Sequence, residues 1–217
     1  MIAIIDYGVG NLRSVEKAFH AIGADAILTK EIALIQSADA VVLPGVGAFE
    51  DGMDNLWDTG LVDVVKTVIK RGTPFLGICL GMQMLLEIGD ESNEAIATKM
   101  DEKEIPGLGI LKGRVKRFPE SEGLKVPQMG WNTVSYVEGS RLFAGIPQDQ
   151  FFYFIHSYYC DLSNVSEVSG VTEYGVTYHS ALERENLFAT QFHPEKSGEL
   201  GLQMLRNFVA IVEEKSC

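Results

Sequence analysis

The amino-acid sequence predicts an α/β fold: a mixed, mostly parallel central sheet flanked by helices, with additional antiparallel strands in the second half. Two observations lead there. Continuous apolar runs at residues 2–6, 26–29, 40–43 and 74–78 suit parallel strands covered on both faces, and helical patterns separate them in βαβ order. Past about residue 90 the apolar residues alternate instead, which is the pattern of half-buried antiparallel strands.

The first strand, residues 2–6, leads into a helical pattern over 11–22 and a second strand at 26–29. The third run stops at Pro44-Gly45 and precedes a helical stretch at 49–57. Over 61–70, Leu61, Val64, Val65, Val68 and Ile69 share one side at helical spacing, with Asp63, Lys66 and Lys70 elsewhere on the wheel, so an amphipathic crossover helix is expected. The fourth run ends at Cys79, before a helical pattern over 80–87. Alternating stretches near 114–118, 132–137, 151–155, 168–172 and 187–191 predict strands, the aromatic-rich 152–159 reads as one central strand supplying core, and 90–104 reads as an exposed loop. An apolar stripe of Leu200, Met204, Leu205, Phe208, Ile211 and Val212 predicts a closing helix over 198–214. With no repeat and no composition break, a single domain over 1–217 is expected.

Composition narrows the function. The 217 residues are 46% hydrophobic and 22% charged, which is ordinary for a globular protein. Thirty Asp and Glu against 18 Lys and Arg leave a net charge of −12, which argues against nucleic-acid or acidic-membrane partners, since those are bound by clustered positive charge. The longest uncharged stretch, Gly72 to Leu86, is glycine-broken and shorter than the roughly 20 apolar residues a membrane span needs. The first residues lack the basic region and cleavage site of a secretory signal, so a cytoplasmic location is expected. Three cysteines without a C-x-x-C pair suggest neither a disulfide framework nor a zinc site, and no metal or cofactor is expected.

The strongest local signal is Gly77-Ile78-Cys79-Leu80-Gly81, a G-x-C-x-G at a strand-to-helix junction, which is the cysteine form of a nucleophile elbow. The following helix N-terminus would favour the thiolate. The competing account is a small buried cysteine in a Gly-rich turn. Phe192-His193-Pro194-Glu195 follows the strand expected at 187–191 and offers a base and an orienting carboxylate, the partners a thiol nucleophile needs. Pro44-Gly45-Val46-Gly47 offers backbone N–H groups that could form an oxyanion hole, or is simply a turn that needs glycine. A dinucleotide site after the first strand is rejected, because Arg13 stands where G-x-G-x-x-G requires its third glycine. Cys160 and Cys217 have neither an elbow nor a base near them in sequence.

Taken together, residues 77–83, 44–47 and Gln191-Phe192-His193-Pro194-Glu195-Lys196-Ser197 resemble the class I glutamine amidotransferases. Asp6 to Ser14 and Val126-Pro127-Gln128-Met129-Gly130-Trp131-Asn132 are similar to the glutaminase subunits of imidazole glycerol phosphate synthases. The resemblance implies a three-layer amidotransferase domain. It also implies hydrolysis of L-glutamine through a Cys79 thioester, with His193 as acid and base and Glu195 orienting it. By the same resemblance, Gly45, Val46, Gly47 and Leu80 would supply the oxyanion hole, and Gly47, Gln83, Ser157 and Tyr158 would contact glutamine. It further implies a heterodimer with a (β/α)8-barrel cyclase that receives the ammonia in histidine biosynthesis. Gln128, Met129, Trp131, Asn132 and Lys196 are expected at that interface, although a core role competes for Trp131.

Overall fold

A computed structural model describes residues 1–91, 104–119 and 123–216. The N-terminal half is built as expected. Strands β1 (Ile2–Ile5), β2 (Ala26–Thr29), β3 (Ala40–Gly45) and β4 (Phe75–Cys79) are joined by helices α1 (Leu12–Ala21), α2 (Ile32–Ser37), α3 (Phe49–Asp58) and α4 (Val62–Lys70). Helix α2 was not anticipated: it is six residues long and buries only Ile35, too short to show a helical period.

After β4 the chain makes a single helical turn, α5 (Leu80–Gln83), and then strand β5 (Leu86–Gly89). The longer helix expected over 80–87 does not form. The chain leaves α5 as strand β5 instead, and the carbonyls of Met84, Leu85 and Leu86 accept from the backbone N–H groups of Leu108, Leu111 and Gly109. Of the loop expected at 90–104, residues 92–103 lie outside the described residues, and Asp90 is buried and paired with Arg114 at 2.8 Å.

The second half adds β6 (Ile105–Pro106), β7 (Leu111–Arg117), β8 (Gln128–Tyr136), β9 (Gln150–His156), β10 (Tyr158–Leu162), β11 (Val168–Tyr174), β12 (Val176–Arg184) and β13 (Leu187–Thr190). The closing helix α6 follows (Gly198–Ser216). The aromatic run at 152–159 is two strands, broken at Ser157: β9 pairs with β8, whereas β10 enters the main sheet between β12 and β7. Strand β12 was not anticipated.

Sheet order is β2-β1-β3-β4-β13-β12-β10-β7-β5-β6, with β11, β8 and β9 branching from β12. The first five strands run parallel, and β13 joins β12 antiparallel, so the sheet is mixed. Alternate residues point to opposite faces. Ala3, Ile5, Val41 and Leu43 pack with α3 and α4, whereas Ile2, Ile4, Ala40 and Val42 pack with α1 and with Met204, Leu205 and Phe208 of α6, giving a helical layer on each side. Among the described residues no helix is long and apolar enough to cross a membrane.

The elbow is packed backbone to backbone. A Cβ on Gly81 would lie 1.8 Å from the Leu43 carbonyl oxygen of β3, and main chain cannot yield as a flexible side chain can. Gly81→Ala should therefore cost about 3 kcal/mol or more in urea denaturation, the upper range of overpacking penalties. A loss below about 1 kcal/mol would show that α5 is not held against β3 as described.

Candidate active site

Three neighbouring parallel strands end together and carry the motifs. Strand β4 lies between β3 and β13, with Gly45 in register with Cys79 and Thr190 in register with Ile78. Gly45 thus lies on one side of Cys79, and Gln191 follows on the other. This is the carboxyl edge of a parallel sheet, where ligands bind in open α/β folds.

Cys79 adopts φ 55°, ψ −108°, a conformation that non-glycine residues rarely hold, as a nucleophile elbow requires. Its side chain borders a cavity of about 580 Å³ whose wall includes Val46, Gly47, Leu80, Gln83, Ser157, Tyr158 and Lys196. Those residues were all expected to meet substrate, oxyanion or partner. Gly47 has φ +100°, and Gly45 has no room for a side chain, because a Cβ there would lie 2.4 Å from the Tyr7 hydroxyl.

His193 and Glu195 flank Pro194 at the start of a 3₁₀ turn, Pro194–Lys196. The imidazole Nδ1 lies 2.8 Å from Glu195 Oε1, with the two side chains 2% and 1% exposed. A carboxylate can only accept, so Nδ1 carries a proton and Nε2 is the nitrogen left for chemistry. Burial opposes a charge on His193. Charge on the Cys79 sulfur, its hydrogen-bonding reach to the ring and the Glu195 carboxylate outweigh that, pushing the imidazole pKa up to about 10. Nε2 itself is buried without a hydrogen bond of good geometry. The two facts fit a contact that is close enough to couple charge but not yet aligned, as in catalytic pairs that tighten around substrate.

The turn is anchored from two sides. The His193 N–H donates to the Tyr153 carbonyl at 2.9 Å, and Ser197 Oγ accepts from the Tyr153 N–H at 3.0 Å while donating to the His193 carbonyl at 2.7 Å. Lys196 Nζ lies 5.8 Å from the centre of the Tyr153 ring.

Four further residues belong to this site and were not anticipated as such. Gln191, fully buried, donates from Nε2 to Cys79 Sγ at 3.6 Å. Tyr7 presses its unpartnered hydroxyl against Gly45, and burial, then Cys79, pushes that hydroxyl's pKa up. Asn11 lines the cavity. Glu91 lines it as well, accepting from the Phe49 N–H at 2.9 Å, and burial, then the charge of Asp51, pushes its pKa up to about 7 against the opposing Phe49 bond. The available signal for Gln191 was a polar residue closing an apolar strand immediately before the His-Pro-Glu segment. Glu91 carried none.

The expected interface residues divide by face. Met129 and Trp131 are 63% and 55% exposed and lie opposite Ile155 and Tyr153 on the β8–β9 hairpin. Gln128 is instead turned inward, 2% exposed, accepting from the Tyr178 hydroxyl at 2.9 Å. Asn132 shares that inner face and donates to the Glu173 carbonyl at 2.9 Å. Strand alternation forbids all four from facing one partner. Cys160 is buried in the sheet, and Cys217 lies outside the described residues. Among the described residues no group of three or more His, Cys, Asp and Glu is placed to hold a metal ion.

Comparison with known proteins identifies the family. The family model for class-I glutamine amidotransferases matches residues 3–212. The HisH subunit of imidazole glycerol phosphate synthase from Methanothermobacter thermautotrophicus is 51% identical over 212 residues, covering 98% of this chain and 99% of that protein. HisH 1 from Methanococcus maripaludis is 46% identical over 216 residues, covering 98% and 100%. A solved glutamine amidotransferase superposes with a TM-score of 0.71 at 17% identity, covering 98% of this chain and all of that one. The PurLQS structure from Thermotoga maritima superposes with a TM-score of 0.70 at 15% identity, covering 97% and 98%. A family match over nearly the whole length, together with relatives of this identity, makes the chain a member of the class-I glutamine amidotransferases.

Proposed function

We propose that this chain is the glutaminase subunit of an imidazole glycerol phosphate synthase, releasing ammonia from L-glutamine for a (β/α)8-barrel cyclase in a heterodimer. The observation that carries the chemistry is the row Gly45, Cys79, Gln191 at the strand ends, with His193 and Glu195 one turn beyond. The identity of the pathway rests on the near-full-length likeness to the HisH relatives.

In this reading the Cys79 thiolate attacks the side-chain amide carbon of glutamine. The carbonyl π pair moves to oxygen, where the backbone N–H groups of Leu80 and of the Gly45–Val46–Gly47 turn receive it. As the tetrahedral adduct collapses, the C–N bond breaks and His193 Nε2 gives its proton to the departing nitrogen, releasing ammonia and leaving a glutamyl thioester. Water then attacks the thioester, His193 takes its proton, and glutamate leaves with Cys79 restored. Glu195 keeps the imidazole in one tautomer and favours its cation. Gly47, Gln83, Ser157 and Tyr158 form the glutamine pocket, and Glu91, whose charge burial disfavours in the empty cavity, would ionise opposite the substrate's ammonium.

Ammonia freed into neutral water becomes ammonium and loses its nucleophilic pair, so the cavity mouth must be covered during turnover. Pro127, Ile155 and Lys196 border that cavity, and Met129 and Trp131 continue an exposed apolar face from it. We assign the cyclase to this face, with the Trp131 ring, packed edge-on to Tyr153 at 6.1 Å, as its anchor.

Ammonia release from glutamine, measured on the chain alone and with the cyclase plus its phosphoribosyl-formimino ribonucleotide, should rise strongly only in the mixture. Cys79→Ala should abolish it in both, while Cys160→Ala should leave it nearly unchanged. Full release by the Cys79→Ala protein would overturn the nucleophile assignment. The pH profile is a second check: His193 stays an acid until about pH 10, so kcat/KM should hold through neutral pH and fall as pH rises through that value. Glu195→Gln removes a stabiliser of the cation and should bring the fall down by about one unit or more. A third check is Trp131→Ala, which should fold normally yet bind the cyclase about tenfold or more weakly by calorimetry. Unchanged affinity would remove Trp131 from the interface.

A further inference from the structure

The proposed reaction leaves one buried group in contact with the nucleophile without a task. Gln191 is fully buried and donates from Nε2 to Cys79 Sγ at 3.6 Å. Its Oε1 accepts from Gln83 Nε2 at 3.1 Å, and that same Nε2 donates to the Tyr158 carbonyl at 2.8 Å. The direction of this chain is dictated by chemistry. A backbone carbonyl can only accept, so Gln83 must present its NH₂ group to Tyr158. The second proton of that NH₂ then meets the Gln191 oxygen, which forces the Gln191 NH₂ toward the sulfur. Neither amide can flip without setting donor against donor or acceptor against acceptor.

We propose that Gln191 is a catalytic residue that holds the Cys79 sulfur in its anionic form, and that Gln83 and Tyr158 aim it by fixing the orientation of its amide. The inference rests on Cys79 being the nucleophile. A thiol sulfur is a weak acceptor and a thiolate a strong one, so an NH₂ group held against it favours the anion without placing a second charge in a buried site. The donor acts twice. It stabilises the attacking thiolate, and when water has added to the thioester it receives the sulfur again as the C–S bond breaks and the electron pair returns to sulfur. Because Gln83 and Tyr158 also line the cavity, the walls that would meet glutamine are the groups that aim the donor. Among the described residues, His193, Tyr7, Cys160 and Tyr178 also respond to charge on Cys79. His193 alone among them brings a cation.

Alkylation of Cys79 by iodoacetamide tests this without requiring turnover of glutamine. The rate, read by peptide mass spectrometry across a pH series on the full chain, should fall about tenfold at neutral pH in Gln191→Met, a charged hydrogen bond's worth. Its pH midpoint should move upward. Gln191→Glu, which places a like charge at the sulfur, should fall further. Gln83→Met leaves β13 untouched and frees the Gln191 amide to turn, so it should lower the rate by a smaller factor, which keeps the test available if the Gln191 variants do not fold. A Gln191→Met protein that folds and alkylates with the parent rate and midpoint overturns the proposal, even if it no longer hydrolyses glutamine. An unchanged profile in Gln83→Met overturns the aiming role. Normal alkylation shifts in a chain that releases no ammonia would uphold Gln191 and count against the glutaminase reading instead.

Discussion

Everything at this site depends on the parallel register of β3, β4 and β13. The pairing places Gly45 beside Cys79 on one side and carries Gln191 alongside it on the other, so the proposed oxyanion turn, nucleophile and donor arrive at one edge without any long loop to position them. Hydrophobic alternation does not fix that register, because both faces of these strands are apolar and a slip of one residue would exchange one buried face for another. Close backbone contact fixes it. A side chain at Gly81 would meet the Leu43 carbonyl of β3, and one at Gly45 would meet the Tyr7 and Leu80 side chains, so a shifted register would drive a Cβ into main chain at the first and into packed side chains at the second.

The same tight packing holds the backbone of Cys79 in a strained conformation. A non-glycine residue at φ 55°, ψ −108° costs on the order of 1–3 kcal/mol and persists only where its surroundings over-determine it. Here β3 and β13 clamp β4 on both sides, and residues 107–111 tie down the chain that follows α5 by donating to the carbonyls of residues 84–87. The wall of the cavity is as firmly set: the Tyr158 carbonyl accepts both Gln83 Nε2 and His156 Nδ1, each at 2.8 Å.

The fold's first half was legible in the sequence because its strands are continuous apolar runs and its longer helices have one apolar face. What escaped were elements too short or too buried to show a period. Residues 80–86 are all buried, so their pattern could not separate a helix from a turn and a strand, and Ser157 breaks an aromatic run that otherwise looks uniform. At the site, Cys79, His193 and Glu195 were readable because their chemistry requires particular residue types at short spacing. Gln191 and Tyr7 were not, since their relation to Cys79 is made by strand neighbours far apart in the chain. Gln128 was assigned to the wrong side because a motif lists residues in order, while a strand sends alternate ones to opposite faces.

That alternation also sets the outer surface one peptide away from the His193 turn. Tyr153 lies opposite Trp131 on the exposed face of the hairpin, and its own peptide receives the His193 N–H and gives its N–H to Ser197. Ser197 in turn donates to the His193 carbonyl, so β9 and the His-Pro-Glu turn form one hydrogen-bonded ring. Trp131 and Tyr153 therefore stand on strands joined directly to the backbone that carries His193. The hairpin thus ties the exposed Trp131–Tyr153 face to the His193 turn through three hydrogen bonds, with no intervening loop.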